Sequence, residues 1–227
     1  MLKNTFSAFA LLLTVASWQP SAALAEEVSA LRKEMPGDKA LGDAAAPVTL
    51  IEYASLSCSH CAAFHHRVLP TIKKEYIDTG KLRFIYRDFP LNGASLFASL
   101  TAHCSGLQGG DQKYFAVLND IIGQQSMWTQ SGSARASLLL IATGQGVDGK
   151  QLTACIDDNK ALEEKIIAGR KDATEQLGIK KTPAFVVNGE VVESMTTPDD
   201  ARKAIDAALA KAKPQPSLNT SNKGAKP

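Results

Sequence analysis

The sequence predicts an α/β domain whose sheet is interrupted by an inserted helical subdomain. Three observations carry this. Val48 to Ala54 reads VTLIEYA, dense in the β-branched and aromatic residues of a buried strand. A second β-like segment, Leu82 to Arg87, follows one helical stretch later, and β character then returns only after Gly178.

Before the first strand, residues 1–25 read as a secretory signal peptide. Lys3 gives a short positive start, an apolar run from Phe6 to Trp18 follows, and Pro20 and Ser21 break it ahead of Ala23, Leu24 and Ala25. The run is shorter than the roughly 18 residues of a membrane-spanning helix, so cleavage after Ala25 and export are expected over retention as an anchor. Residues 26–46 form a lead-in of short helix or irregular chain, closed by a turn from Gly42 to Pro47.

The first part of the core spans 47–92. The strand at 48–54 gives way to polar Ser55 to Ser59, and Phe64, Val68, Leu69, Ile72, Tyr76 and Ile77 then recur at helical spacing until Gly80. Pro70 inside that stretch should kink it or limit it locally. In the strand that follows, Leu82, Phe84 and Tyr86 share one face, and Asp88 to Pro90 stop it. Strand, helix, strand with a crossover of this length implies a parallel pair.

Residues 93–178 form the insertion. Helical periodicity runs through about 94–106, 112–124, 132–143, 148–157 and 159–177, with Met127 and Trp128 expected to pack between segments. The second part of the core, 179–212, holds a strand at Ala184 to Val187, the hairpin signal Asn188-Gly189 and a partner strand at Glu190 to Glu193. Thr197 reads as a helix N-cap with Pro198 in the first turn. The tail at 213–227 has almost no apolar content and is expected to be disordered.

Charge excludes one class of partner. Residues 26–209 carry 20 basic and 23 acidic groups, so the body is mildly acidic, and no basic and aromatic interleaving points to nucleic acid. All four cysteines, Cys58, Cys61, Cys104 and Cys155, lie beyond the leader, and export would place them where disulfides persist. The expected division is one reactive pair and one structural pair.

Cys58 and Cys61 make the reactive pair. Cys58 falls where a strand ends and a helix begins, and the free amide donors and positive dipole end there favour a thiolate. Cys58 is then the nucleophile and Cys61 the resolving thiol. His60, beside Cys58, offers a hydrogen bond or a positive charge that lowers the thiol pKa further, which biases the pair towards oxidation. The competing readings are a structural disulfide and a zinc site of Cys58, Cys61 and His65 or His66. The first gains nothing from a Ser-His bridge at such a junction, and the second lacks a nearby fourth ligand.

The segments APVTLIEYASLSCSHCAAF at Ala46 to Phe64, FIYRDFPL at Phe84 to Leu91 and GIKKTPAFVVNG at Gly178 to Gly189 resemble the DsbA-like thiol:disulfide oxidoreductases. With the helical insertion, the resemblance covers nearly all of residues 40–210. It implies a thioredoxin-like fold, and a cis-proline loop at Thr182-Pro183 that contacts an incoming peptide. It also implies that Glu52 is a buried, unpaired acid beneath Cys61, able to relay its proton, and it favours a structural disulfide between Cys104 and Cys155. Two departures weaken the direction it gives. The bridge is Ser59-His60, where the best-known oxidases have Pro-His, and Thr182 is shared with isomerases.

The activity so implied is disulfide introduction into exported proteins in the periplasm, or at the cell surface, by a monomer. It needs no metal or organic cofactor, acts on reduced exported proteins or peptides, and is reoxidised by a DsbB-like membrane partner. Alternatives are an isomerase or reductase kept reduced by a membrane donor and, in another class, a chaperone-like peptide binder with a structural disulfide.

Overall fold

The computed structural model describes residue 29, residues 31–192 and residues 194–212. The expected leader at 1–25, the tail at 213–227 and Glu193 lie outside the described residues. Strands β1 (Lys39–Leu41), β2 (Val48–Ala54), β3 (Leu82–Asp88), β4 (Ala184–Val187) and β5 (Glu190–Val192) form one sheet in the order β1-β3-β2-β4-β5.

Central β2 runs parallel to β3 and antiparallel to β4. Its alternation divides two cores. Val48, Leu50 and Ala54 pack on one side with Leu82, Phe84 and Tyr86 of β3, whereas Ile51 and Tyr53 pack on the other with Ile85 and Val186. Glu52 therefore projects to the first side, flanked in register by Tyr86 and Phe185.

Helix α1 (Ser59–Arg67) follows β2 and covers that side. It breaks at Val68, and the chain resumes as α2 (Leu69–Ile72), with Pro70 in its first turn, then a π-helical turn at Lys73–Ile77. The proline thus begins a helix and does not bend one, because its missing N–H costs nothing there. Between β3 and β4 lie α3 (Gly93–Gly106), α4 (Gly110–Gly123), α5 (Gln125–Thr129), α6 (Ala134–Gly144), α7 (Gly149–Asp158) and α8 (Lys160–Leu177). After β5, α9 (Pro198–Lys211) is capped by Thr197, whose hydroxyl accepts from the Asp200 amide.

Three expectations need correction. The lead-in contains β1, an edge strand antiparallel to β3; three residues, Lys-Ala-Leu, are too few to show a period. The insertion holds one more helix, α5, whose five residues escape a periodicity test in the same way. Trp128 is fully buried, and its indole N–H donates to the Ile121 carbonyl at 2.8 Å, but Met127 is half exposed. The β4–β5 hairpin turns at Asn188 (φ 45°) and Gly189 (φ 87°), the left-handed pair that such a turn requires.

The lead-in is fastened to the sheet by Arg87 at the end of β3. Its guanidinium donates to the Leu31 carbonyl (2.6 Å), the Tyr53 hydroxyl (2.7 Å), Asp38 (2.7 Å) and the Lys33 carbonyl. Among the described residues, no helix is long and apolar enough to cross a membrane.

Candidate active site

Cys58 occupies the N-cap of α1 in extended conformation (φ −85°, ψ 119°). The turn before it closes when the Cys58 amide donates to the Ser55 carbonyl at 3.0 Å. From the insertion, the Gln125 side chain donates to the carbonyls of Leu56 (2.7 Å) and Cys58 (3.1 Å), clamping the same turn. Gln125 carries no sequence signal, since only the fold brings α5 to this junction.

Both thiols are free, and both are buried, Cys58 at 9% exposure and Cys61 at 1%. Their electrostatics diverge. The Cys58 thiol is lowered to about 5, first by a hydrogen bond from Cys61, then by the Thr182 hydroxyl and the backbone N–H groups of Cys61 and His60, with burial opposing. These amides are the unsatisfied donors of a helix N-terminus. Cys61 moves the other way: its hydrogen bond to Cys58, its burial and the negative charge of Glu52 hold its thiol far above the ordinary range.

Thr182 and Pro183 meet this pair from the other half of the core. Their peptide bond is cis, and the Cys58 thiol donates to the Thr182 carbonyl at 3.3 Å. A groove of about 470 Å³ runs past them, lined by His60, Phe64, Arg67, Thr182, Pro183 and Met195 among its walls. The His60 ring is exposed and, among the described residues, makes no hydrogen bond; His60 reaches Cys58 through its backbone amide.

Glu52 is fully buried, but it is not unpaired. His65 Nε2 lies 2.8 Å from Glu52 Oε2. His65 stands four residues after Cys61, on the same face of α1, and meets Glu52 only because that helix lies on the sheet. Among the described residues, no three His, Cys, Asp or Glu side chains converge to hold a metal ion. Cys104 and Cys155 are bonded to each other across α3 and α7, Cα to Cα 5.9 Å.

A five-stranded sheet with this order, a Cys-x-x-Cys at the head of the helix after β2 and a cis-proline facing it together define the thioredoxin class of fold and site. The thioredoxin family matches residues 34–207. The chain belongs to that family, in its DsbA-like branch. It is 33% identical over 177 residues, 78% of its length, to a protein of Rickettsia bellii named a protein-disulfide oxidoreductase. A relative from Rickettsia typhi with the same description is 31% identical over 76% of the chain. The chain spans 66% and 62% of the length of these two relatives. The crystal structure of Wolbachia pipientis alpha-DsbA1 superposes with a TM-score of 0.72 at 32% identity, over 79% of this chain and 94% of that one.

Proposed function

We propose that this protein is an exported disulfide oxidase that transfers the Cys58–Cys61 disulfide to reduced client proteins in the periplasm. The observation that carries the reading is the divergence of the two thiols, Cys58 lowered to about 5 and Cys61 raised. A stabilised Cys58 thiolate makes the reduced form favourable and Cys58 a good leaving group, which together make the disulfide an oxidant.

The exchange begins when a client thiolate attacks Cys58 of the disulfide, forming a mixed disulfide and releasing Cys61. Burial on α1 leaves Cys58 the more exposed sulfur, consistent with attack there. The groove beside Pro183 receives the client chain. A second client thiolate then attacks the client sulfur, which leaves with a new client disulfide and frees Cys58 as thiolate. The protein is left reduced, and reoxidation falls to a membrane partner of the DsbB type. The names of the Rickettsia relatives agree with this chemistry.

The Cys58–Cys61 reduction potential, measured against glutathione, tests the reading. A value near −120 mV is expected of a strong oxidant, whereas about −270 mV would overturn it in favour of a reductase. Cys58→Ala separates the enzyme from a chaperone: client oxidation disappears, while holding of unfolded chains would persist in a chaperone.

A further inference from the structure

The groove beside the cis-proline is one-sided in charge. Of the described residues that line it, Arg67 and Lys181 carry positive charge and none is acidic. Both are exposed, and among the described residues neither side chain makes an ion pair or a hydrogen bond. This runs against the molecule as a whole, since residues 26–209 carry 20 basic and 23 acidic groups. Two other cavities mix signs: the one under the lead-in has Asp88 with Lys165, and the one between β5 and α9 has Glu190 with Lys203.

Below the two cations the groove is apolar. The rings of Phe64 and Phe185 lie 4.7 Å apart, and buried Met195 continues the same floor. Apolar walls beside charges of one sign strengthen their field in the cleft. The cations stand at different distances from the reacting sulfur. Lys181 directly precedes Thr182, whose carbonyl is 3.3 Å from Cys58 Sγ. Arg67 ends the nine residues of α1 that follow Cys58, about 13 Å along the helix at about 1.5 Å per residue. An extended peptide covers that distance in about four residues.

Building on the thiol exchange proposed above, we infer that the groove selects client segments carrying an acidic residue within about four positions of the reacting cysteine. The client carboxylate pairs with Lys181 when it lies near the cysteine and with Arg67 when it lies further along, while an apolar side chain rests on Phe64 and Met195. Arg67 offers a carboxylate two parallel N–H donors, and Lys181 a single point charge. The chain's own C-terminal segment does not suit this site: residues 213–227 carry three lysines and no acid, so the same charges repel it.

The oxidised protein is mixed with reduced single-cysteine peptides that differ only within four positions of the cysteine: Glu before it, Glu after it, Gln on both sides, or Lys on both sides. The initial rate of mixed-disulfide formation is read by acid quench and mass spectrometry. Each rate is divided by the fraction of peptide thiolate, because a neighbouring carboxylate raises the thiol pKa. At least one Glu peptide is expected to exceed the Gln peptide about threefold or more at low salt, with the Lys peptide below both. The spread should close at about 1 M salt, where screening acts within about 3 Å. Arg67→Gln with Lys181→Gln is expected to abolish the preference, and Arg67→Glu with Lys181→Glu to invert it. Lys150→Gln with Lys171→Gln removes the same charge from exposed positions on α7 and α8 and should leave the preference intact. Equal corrected rates in the wild type overturn the inference without recourse to any variant. A preference that survives loss of Arg67 and Lys181, or that is lost equally in the control, also overturns it. A protein that reacts with no peptide overturns the oxidase reading; one that reacts with all alike overturns the charge selection alone.

Discussion

The Cys58 thiol and the Thr182 carbonyl are 3.3 Å apart although 124 residues separate them in sequence. The contact suits a thiol, which donates, and not a thiolate, which cannot. Next to that carbonyl, Thr182 Oγ1 is buried and makes no hydrogen bond among the described residues, so its proton is free to turn towards a thiolate. Thr182 thus offers an acceptor to one state of Cys58 and a donor to the other.

Removal of that donor should be visible directly. Thr182→Val keeps the shape and the carbonyl but deletes the hydroxyl, and is expected to raise the Cys58 thiol from about 5 towards its ordinary value. The shift is incomplete, because the larger contribution from Cys61 and those of the helix amides remain. Thiolate absorbance at 240 nm across a pH titration measures it. An unchanged midpoint would exclude the hydroxyl.

The same depressed thiol couples folding to pH. A group whose folded pKa lies below its unfolded value stabilises the fold above the unfolded pKa, and this stability is lost as pH falls through the folded pKa. For Cys58 that window runs from about 9 down to about 5. Cys61, held protonated, opposes above about pH 8. Denaturant unfolding of the reduced protein should therefore gain stability relative to the oxidised protein as pH rises from about 5 to 8. A gap independent of pH would contradict the assignment.

Gln125 predicts an effect at a distance in sequence. Gln125→Ala removes two part-buried hydrogen bonds to carbonyls of the active-site turn, and is expected to cost about 1–3 kcal/mol of stability. Amide exchange should accelerate at Ser57 and Cys58 more than in the rest of the sheet. Uniform acceleration would mean that the clamp is not local.

The second disulfide closes a sequence separation of 51 residues within the insertion. Chain-entropy reasoning gives a stabilisation of about 4 kcal/mol for such a loop. A Cys104→Ala, Cys155→Ala protein is expected to unfold at lower denaturant by an amount up to that value, with the Cys58 thiolate titration unmoved. A shift in that titration would show that the insertion disulfide reaches the site.

Sequence patterning resolves the parts of this fold whose elements are long enough to show a period. β2 and β4 fall on their expected residues, and β3 extends only one residue further, to Asp88. β1 and α5 are too short for any period and owe their form to what they pack on. At the site, Cys58 and Cys61 are legible from their junction, because helix-end chemistry is local. The partner of Glu52 is not, since an acid in a strand and a histidine in a helix reveal their pairing only when the helix lies on the sheet. Gln125 is hidden for the same reason, and the exposed His60 ring shows that adjacency in sequence does not fix where a side chain points.

The central strand β2 has one neighbour from before the insertion and one from after it. A chain made from its N-terminus can pair β2 with β3 early, but β4, with Thr182 and Pro183, arrives only after the whole insertion has been synthesised. Until then the Cys58 turn lacks the Thr182 contact and the Pro183 side of the groove. The Cys61 hydrogen bond and the helix amides that lower the Cys58 thiol belong to the first part of the core, whereas the Thr182 contribution waits for the second. The insertion thereby sets the order in which the two sides of the site are made, the thiols and their helix first and the cis-proline wall last.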